Sequence, residues 1–220
     1  HLGNGESAKT QDILISDNTI VGIGNNLIID GNTRVIEVNG LPVTPGLISP
    51  MSNLGIVEIN ALDVTRDDES DLLSAGFSIF NAFNPHSTVI PWNRSNGVTS
   101  AISTPSPSSF PIFGLGSSFV LDGSLKIKGS KDIAMFGRLG SSYGSRAETL
   151  SILESLLEIG RKVNSTTIED ILEMSLVDQL ELQSQDIIAL GKVVNDGLPF
   201  VLETNRAVDI LQALALKEKY

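Results

Sequence analysis

The stretch Val43-Thr44-Pro45-Gly46-Leu47-Ile48-Ser49-Pro50-Met51-Ser52-Asn53-Leu54-Gly55 decides how the chain is organised. Pro42 and Pro45 fix their backbone φ angles and Gly46 permits a turn, so together they predict a rigid, turning connection near residues 42–46. The apolar residues that follow predict a strand over 47–54. We therefore expect residues 1–44 to form an N-terminal unit and residues 45–220 to form a second one.

The N-terminal unit has the pattern of a small antiparallel β-structure. Two runs rich in β-branched residues, within 11–24, flank the turn signal Asp17-Asn18, which predicts a hairpin. Alternating apolar residues over 33–38 predict another strand, and Asn39-Gly40 predicts the turn that follows it.

The second unit alternates between strand and helix patterns. Strands are predicted at 98–103 and 200–204, and residues 104–118, rich in Ser, Pro and Gly, are predicted to be a long loop. Helical spacing of apolar residues predicts four helices, at 145–163 with Ser145 as cap, 168–176, 184–194 and 206–219. This alternation indicates an α/β fold with parallel βα units.

Composition excludes several classes of site. The 220 residues contain no cysteine, which excludes disulfides, thiolate zinc sites and cysteine nucleophiles, and only two histidines, His1 and His86. A net charge of −11 argues against binding to nucleic acid or to an anionic membrane. No run is long enough to span a membrane and no signal peptide is visible. The chain opens at His1, so we expect a cytoplasmic protein or, if a leader was removed, a periplasmic one.

The stretch 43–55, taken with the order of the other segments, resembles the amidohydrolase superfamily near its imidazolonepropionase-related members. In that family a motif V-x-P-G-[LF]-I-D-x-H-x-H leads from a small β-sandwich into the first strand of a (β/α)8 barrel. Here Ser49 stands at the aspartate position, and Met51 and Asn53 stand at the positions of the two metal-binding histidines. Residues 84–100 resemble the segment before the second barrel strand.

A later segment, residues 199–207, resembles a barrel strand that ends in H-x-H-R-A in relatives. Glu203 and Asn205 take the histidine positions here, and Arg206 is kept, so these three residues are expected at the barrel mouth. The resemblance implies a partial TIM-like barrel preceded by part of a composite β-sandwich. Because a complete barrel needs about 250 residues, we expect the natural polypeptide to be longer at both ends. Residues 1–5 also resemble the end of the family's first strand.

The activity that the resemblance implies is metal-dependent hydrolysis of a C–N bond. Zinc or another divalent metal would polarise the carbonyl and lower the pKa of a bound water to about 7. Residues at i and i+2 on a strand share a face, so Met51 and Asn53 are expected to share the geometry of the family's ligands. Their chemistry differs, because a thioether is a soft ligand and an amide oxygen is neutral. We therefore expect no metal cofactor at these positions.

Each of the four positions also has a structural interpretation. Met51 is expected to fill the core, Asn53 and Asn205 to make structural hydrogen bonds, and Glu203 to pair with Arg206. His86 is expected in a loop without a chemical role, and the acidic cluster Asp67-Asp68-Glu69 on a solvated face rather than in a calcium site. Residues 114–116 lack the context of a dinucleotide-binding loop.

Three functions remain open from the sequence. The first is a catalytically degenerate amidohydrolase-like protein, which could form a homo-oligomer or a complex with an active paralogue. The second is a metal-dependent hydrolase of amides or cyclic amides whose atypical site is completed by residues outside these 220. The third is a non-enzymatic protein that holds a small molecule in the loops at 104–118.

Overall fold

The computed structural model describes residues 5, 7, 9–140 and 144–220, which form two compact units, His1–Gly46 and Leu47–Tyr220. The resemblance of residues 1–5 to a first strand lies, apart from Gly5, outside the described residues. The first unit contains the predicted hairpin, formed by β1 (Asp12–Ser16) and β2 (Thr19–Gly24) in antiparallel pairing. Asp17 and Asn18 both have positive φ, 48° and 63°, as a two-residue hairpin turn requires.

The strand predicted at 33–38 is absent, because this stretch pairs with no described strand. Its apolar side chains are exposed, Val35 at 59% and Ile36 at 69%. Alternation alone does not form a strand without a neighbour to accept its backbone hydrogen bonds. The turn at Asn39-Gly40 is confirmed, since both residues have positive φ and Leu41 N donates to Val38 O at 2.9 Å.

The second unit is built on a mixed five-stranded sheet that curls as a half-barrel. Its strands, in spatial order, are β3 (Leu47–Ser52), β4 (Val98–Ser103), β5 (Ile112–Val120), β6 (Gly129–Leu139) and β7 (Phe200–Thr204). β3 pairs with β4 in parallel, as β6 does with β7, whereas β5 is antiparallel to both of its neighbours. Four strands therefore point the same way, and one runs against them.

β5 lies where a loop was predicted over 104–118, so that prediction is wrong for 112–118. The glycines that suggested flexibility are required by close packing instead. A Cβ on Gly116 would lie 2.4 Å from the ring of Phe136, and one on Gly114 would lie 2.5 Å from Phe77 O. Most of β5 is buried, which agrees with a strand in the middle of the sheet.

The predicted helices are present, with one divided into two. The predicted helices are α2 (Arg146–Lys162), α3 (Ile168–Leu172), α4 (Ser175–Gln179), α5 (Ser184–Asn195) and α6 (Ala207–Lys219). The structure adds a short helix that was not predicted, α1 (Val89–Ser95), and 3-10 turns at Asp63–Thr65 and Phe80–Ala82. Ser145 caps α2 as expected, since its hydroxyl accepts from Glu148 N at 3.2 Å. The helix predicted at 168–176 is α3 followed by α4.

The larger hydrophobic core lies between one face of the sheet and helices α2 and α5. It includes Met135 and Leu139 from β6, packed with Leu153, Leu156, Ile187 and Leu190. A second cluster surrounds Phe119, whose ring stacks on Phe83 with 3.8 Å between centroids. A smaller one, with Phe113 and Phe136, packs with Ile102 and Val201. None of the helices in the described part is long and apolar enough to cross a membrane.

Candidate functional site

The candidate site lies at the carboxyl ends of β3 and β4, where two neighbouring parallel strands finish together. Ser52 is paired with Ser103, and Thr104 N donates to Ser52 O at 2.9 Å. Side chains that follow the two strands therefore meet at one edge of the sheet, which is where α/β folds usually place their binding sites.

Met51 adopts a backbone conformation that changes the predicted geometry of β3. Its φ is +48°, and the pairing of β3 with β4 shifts register between Ser49 and Ser52. A residue with positive φ is not extended, so the rule that i and i+2 share a face does not apply from Met51 to Asn53. Asn53 also lies just beyond the strand. Met51 is 56% exposed, so the interpretation as core filling is wrong.

Asn53 forms backbone rather than side-chain hydrogen bonds. Its carbonyl accepts from Ile56 N and Val57 N, both at 3.1 Å. Its carboxamide is exposed and has no hydrogen-bond partner among the residues that the structure describes, contrary to the expected bond to a loop. The side chain is therefore available to a ligand.

A cavity of about 300 Å³ lies at this edge of the sheet. It is lined by Met51, Ser52, Asn53, Thr104, Pro105, Ser106 and Pro107. The lining contains three hydroxyls, one carboxamide, one thioether and two proline rings, and no side chain that carries charge. The structure thus brings Met51 and Asn53 into one cavity with the first residues of the predicted loop.

Asp68 holds the loop side of the cavity in place. Its carboxylate accepts from the Ser106 hydroxyl and from Arg66, at 3.3 Å from Nε and 3.2 Å from Nη2, and Ser106 N donates to Asp68 O at 2.9 Å. The hydrogen bond to Asp68 raises the pKa of Arg66. Asp68 is fully buried, so the prediction of a solvated acidic face is wrong for this residue, although Asp67 and Glu69 are exposed.

Glu203 and Arg138 form an ion pair across the parallel strands β6 and β7. Nε and Nη2 of Arg138 lie 2.9 Å and 2.7 Å from the same carboxylate oxygen, Oε2. The two residues are direct partners in the ladder, and the Arg138 guanidinium also lies 5.6 Å from the ring centre of Phe113. The predicted pair of Glu203 with Arg206 is therefore wrong, since the partner is Arg138.

The other two predicted barrel-mouth residues are exposed at the start of the last helix. Arg206 is the N-terminal cap residue of α6, and Asn205 has no hydrogen-bond partner within the described ranges, contrary to expectation. Residues 203–206 do not line the cavity beside Met51, because β3 and β7 are the two outer strands of the sheet. The structure therefore does not bring Glu203 and Asn205 into the cavity that Met51 and Asn53 line.

Sequence reasoning missed Arg138 because β6 was not recognised. A signal was present in the continuous apolar run 133–137, which is consistent with a strand that is buried on both faces. It was obscured by the polar start of β6, where Asp132 has a φ of +52°. Without the register of β6 against β7, nothing in the sequence links Arg138 to Glu203.

The donor set does not fit a divalent metal. Around Met51 and Asn53 the available donors are a thioether, a neutral amide and hydroxyls, which bind zinc or manganese weakly. Within residues 5, 7, 9–140 and 144–220, no three His, Cys, Asp or Glu side chains converge as a metal site would require. His86 is exposed in a turn, where its amide donates to Asn84 Oδ1 at 3.0 Å.

A larger cavity, of about 410 Å³, lies away from these residues. It is lined by Asp71, Leu72, Leu172, Val177, Asp178, Glu181, Leu182 and Gln183. None of the predicted site residues contributes to it. We place the candidate site in the smaller cavity, because it lies at the ends of parallel strands.

Comparison with known proteins gives a structural likeness. No protein-family model matches the sequence, and no curated protein matches it. The fold is similar to the crystal structure of an amidohydrolase from Thermotoga maritima MSB8, with a TM-score of 0.72 and 19% sequence identity. The match covers 94% of this chain and 57% of that one, so this chain spans little more than half the length of the solved protein. The likeness shows that the chain has an amidohydrolase-like fold.

Proposed function

We propose that this chain is part of a catalytically degenerate amidohydrolase-like protein, related to the imidazolonepropionase group, whose TIM-like barrel binds no metal through the strands described above. The observation that carries the proposal is the ion pair between Glu203 and Arg138. Among the four positions that the resemblance assigns to metal ligands, Glu203 is the only anionic one.

Arg138 opposes metal binding at Glu203 in two ways. It occupies Oε2 with two hydrogen bonds, and its positive charge lies less than 3 Å from the oxygen that a cation would need. A divalent ion beside a guanidinium is repelled, and water screens part of this repulsion because the Glu203 side chain is 43% exposed. Displacing Arg138 would also leave its guanidinium without a carboxylate partner.

The cavity beside Met51 offers no replacement for metal catalysis. A bound metal supplies a hydroxide nucleophile near neutral pH in amidohydrolase chemistry. The side chains that line the cavity are hydroxyls, an amide, a thioether and prolines, none of which is a general base near pH 7. These residues can bind and orient a molecule, which supports a non-enzymatic role, as a small-molecule binding protein or as a partner of an active paralogue.

The test is the metal content of the purified chain, by elemental mass spectrometry, after expression with zinc, manganese and iron and desalting. The expected result is far less than one equivalent of any of them. Glu203→Gln should leave this result unchanged, and so should Glu173→Gln, a matched variant at an exposed carboxylate in the cap of α3.

Near-stoichiometric metal that is lost in Glu203→Gln but kept in Glu173→Gln would contradict the proposal. Metal that is kept in both variants, together with hydrolysis of an amide or cyclic amide, would favour the alternative function. In that case the chain is part of a metal-dependent C–N hydrolase whose ligands lie outside the positions described here.

A further inference from the structure

The larger cavity, of about 410 Å³, lies between the loop at 71–72 and the segment that joins α3, α4 and α5. Its floor is apolar, because Val177 and Leu182 belong to the larger hydrophobic core and are at most 5% exposed. Two further leucines of the lining remain in contact with water, Leu72 at 68% exposed and Leu172 at 37%. We call this cavity the acidic groove, and its lining is completed by Asp71, Asp178, Glu181 and Gln183.

The charged side chains of the acidic groove all have the same sign. In the described part of the chain, Asp71, Asp178 and Glu181 line it and no lysine or arginine does. The sequence contains no lysine or arginine between Lys162 and Lys192. None of the three carboxylates has a hydrogen bond or an ion pair with another described residue. Like charges around an apolar wall focus a negative potential in the groove, which attracts cationic groups.

Glu181 occupies a backbone position that favours glycine. Its φ is +54°, and its amide donates to Asp178 O at 3.1 Å just after the end of α4. Leu182 N donates to Val177 O at the same distance, which completes the motif in which helices most often place glycine. A carboxylate is also unfavourable there, since the C-terminal end of a helix carries partial negative charge. The glutamate therefore opposes the local fold, and a cationic partner in the groove would offset that cost.

We propose that the acidic groove binds a peptide segment of a partner protein in which lysine or arginine flanks one apolar side chain. The apolar side chain packs between Leu72 and Leu172, and the cationic groups lie beside Asp71, Asp178 and Glu181. Charge complementarity selects such a segment and repels an acidic one. The volume of about 410 Å³ lies within the range of pockets that enclose a ligand. The inference is independent of the proposed function, because the groove contains none of the positions that the resemblance assigns to metal ligands.

The test measures the binding of fluorescein-labelled peptides to the 220-residue chain by fluorescence anisotropy. The probe peptide carries lysines on both sides of a central leucine. In one comparison peptide serine replaces the leucine, and in another glutamate replaces every lysine. We expect saturable binding of the probe that weakens as salt is added, because the attraction between exposed charges is screened. The serine peptide should bind about tenfold more weakly, and the glutamate peptide should not bind.

Two pairs of variants separate the groove from the rest of the surface. Leu72→Ser should weaken binding of the probe about fivefold, whereas Leu125→Ser, at an exposed leucine between β5 and β6, should leave it unchanged. Asp178→Asn should weaken binding about threefold. Asp12→Asn makes the same change of charge at an exposed aspartate of β1 and should have no effect. Full binding by Leu72→Ser or by Asp178→Asn would overturn the inference.

Glu181→Gly distinguishes a role in binding from a role in folding. It should raise the urea concentration at the midpoint of unfolding, since glycine suits the positive φ, and should weaken binding of the probe about threefold. Unchanged binding by this variant would contradict the inference. Spermine, which carries amines but no apolar side chain, should compete weakly; if it bound as tightly as the probe, the groove would be a site for small amines. A dimer of the chain that Leu72→Ser dissociates would place a second copy in the groove. Either result would overturn the inference.

Discussion

Replacing Asp186 with alanine should destabilise the second unit far more than an ordinary helix cap would. Asp186 lies in the first turn of α5 and is 1% exposed. Its Oδ1 accepts from Ser74 N at 2.9 Å and from Gly76 N at 2.8 Å, and its Oδ2 accepts from Gln183 N at 2.9 Å. One carboxylate therefore caps α5 and joins it to a segment that is distant in sequence.

The magnitude follows from the three backbone donors that Asp186→Ala leaves without an acceptor. Each unsatisfied buried donor costs about 1–3 kcal/mol. Because Ser74, Gly76 and Gln183 are only half-buried, we take the lower value for each and expect a loss of about 3 kcal/mol in the free energy of unfolding. Asp186→Asn should recover part of the loss, since its amide keeps one acceptor oxygen.

The assay is urea unfolding followed by far-UV circular dichroism, with hydrogen exchange at the amides of residues 74 and 76. Glu148→Ala is the control, because Glu148 accepts a hydrogen bond from the N-cap residue of α2, as Asp186 does in α5. Glu148 is exposed, however, and the bond from Ser145 N to its carboxylate is long, at 3.4 Å. We expect the control to lose about 0.5 kcal/mol. A loss below about 1 kcal/mol for Asp186→Ala, at an unchanged m-value, would refute the assignment of Asp186 as a structural bridge.

Two further predictions follow from close packing and from surface charge. Gly116→Ala should cost about 1–3 kcal/mol in the free energy of unfolding, because its new Cβ would lie 2.4 Å from the Phe136 ring and 3.0 Å from Ser103 O. The control is Gly31→Ala, which has open space around it and should be neutral in the same urea assay. Equal effects of the two variants would contradict the reasoning. The Asp122 carboxyl should titrate by NMR with a pKa of about 2, because Lys128 and then Ser124 N hydrogen-bond to the charged form. Since this folded pKa lies below the unfolded value of about 3.9, the interaction stabilises the fold above that pH, and its contribution is lost as the pH falls to about 2. Lys128→Met should raise the pKa, and an unchanged value would exclude Lys128 as the cause.

The parts of the fold that depend on local chemistry could be predicted from the sequence. Asp17 and Asn18 tolerate positive φ, so they mark the hairpin correctly. Ser145 with Glu148 marks the start of α2, and the leucine spacing that follows gives its length. Each of these signals is contained within a few neighbouring residues.

The predictions that were wrong concern features that depend on residues distant in sequence. Gly114 and Gly116 are typical of a loop until Phe77 and Phe136 are known to lie against them. Glu203 has Arg206 nearby in sequence, but its partner is Arg138, brought next to it by strand pairing.

The candidate site was predicted only in part. The resemblance directed attention to Met51 and Asn53, and these two residues do line a cavity. The left-handed conformation of Met51 could not be predicted, because methionine has no preference for positive φ. The neighbouring wall at 104–107 was included in a predicted loop, but its attachment to Asp68 was not foreseen, because an acidic cluster is usually solvated.

The reversed strand β5 has a consequence for how the sheet is assembled. Because β5 is antiparallel to β4 and to β6, these three strands form a meander whose contacts are close in sequence. Each of the parallel pairs, β3 with β4 and β6 with β7, is joined by a long connecting segment. The two ends of that segment must come together, at a cost in conformational entropy, before the strands can pair. Since local contacts form fastest, we expect the meander to be the folding nucleus and the outer strands, which carry Met51 and Glu203, to join it late.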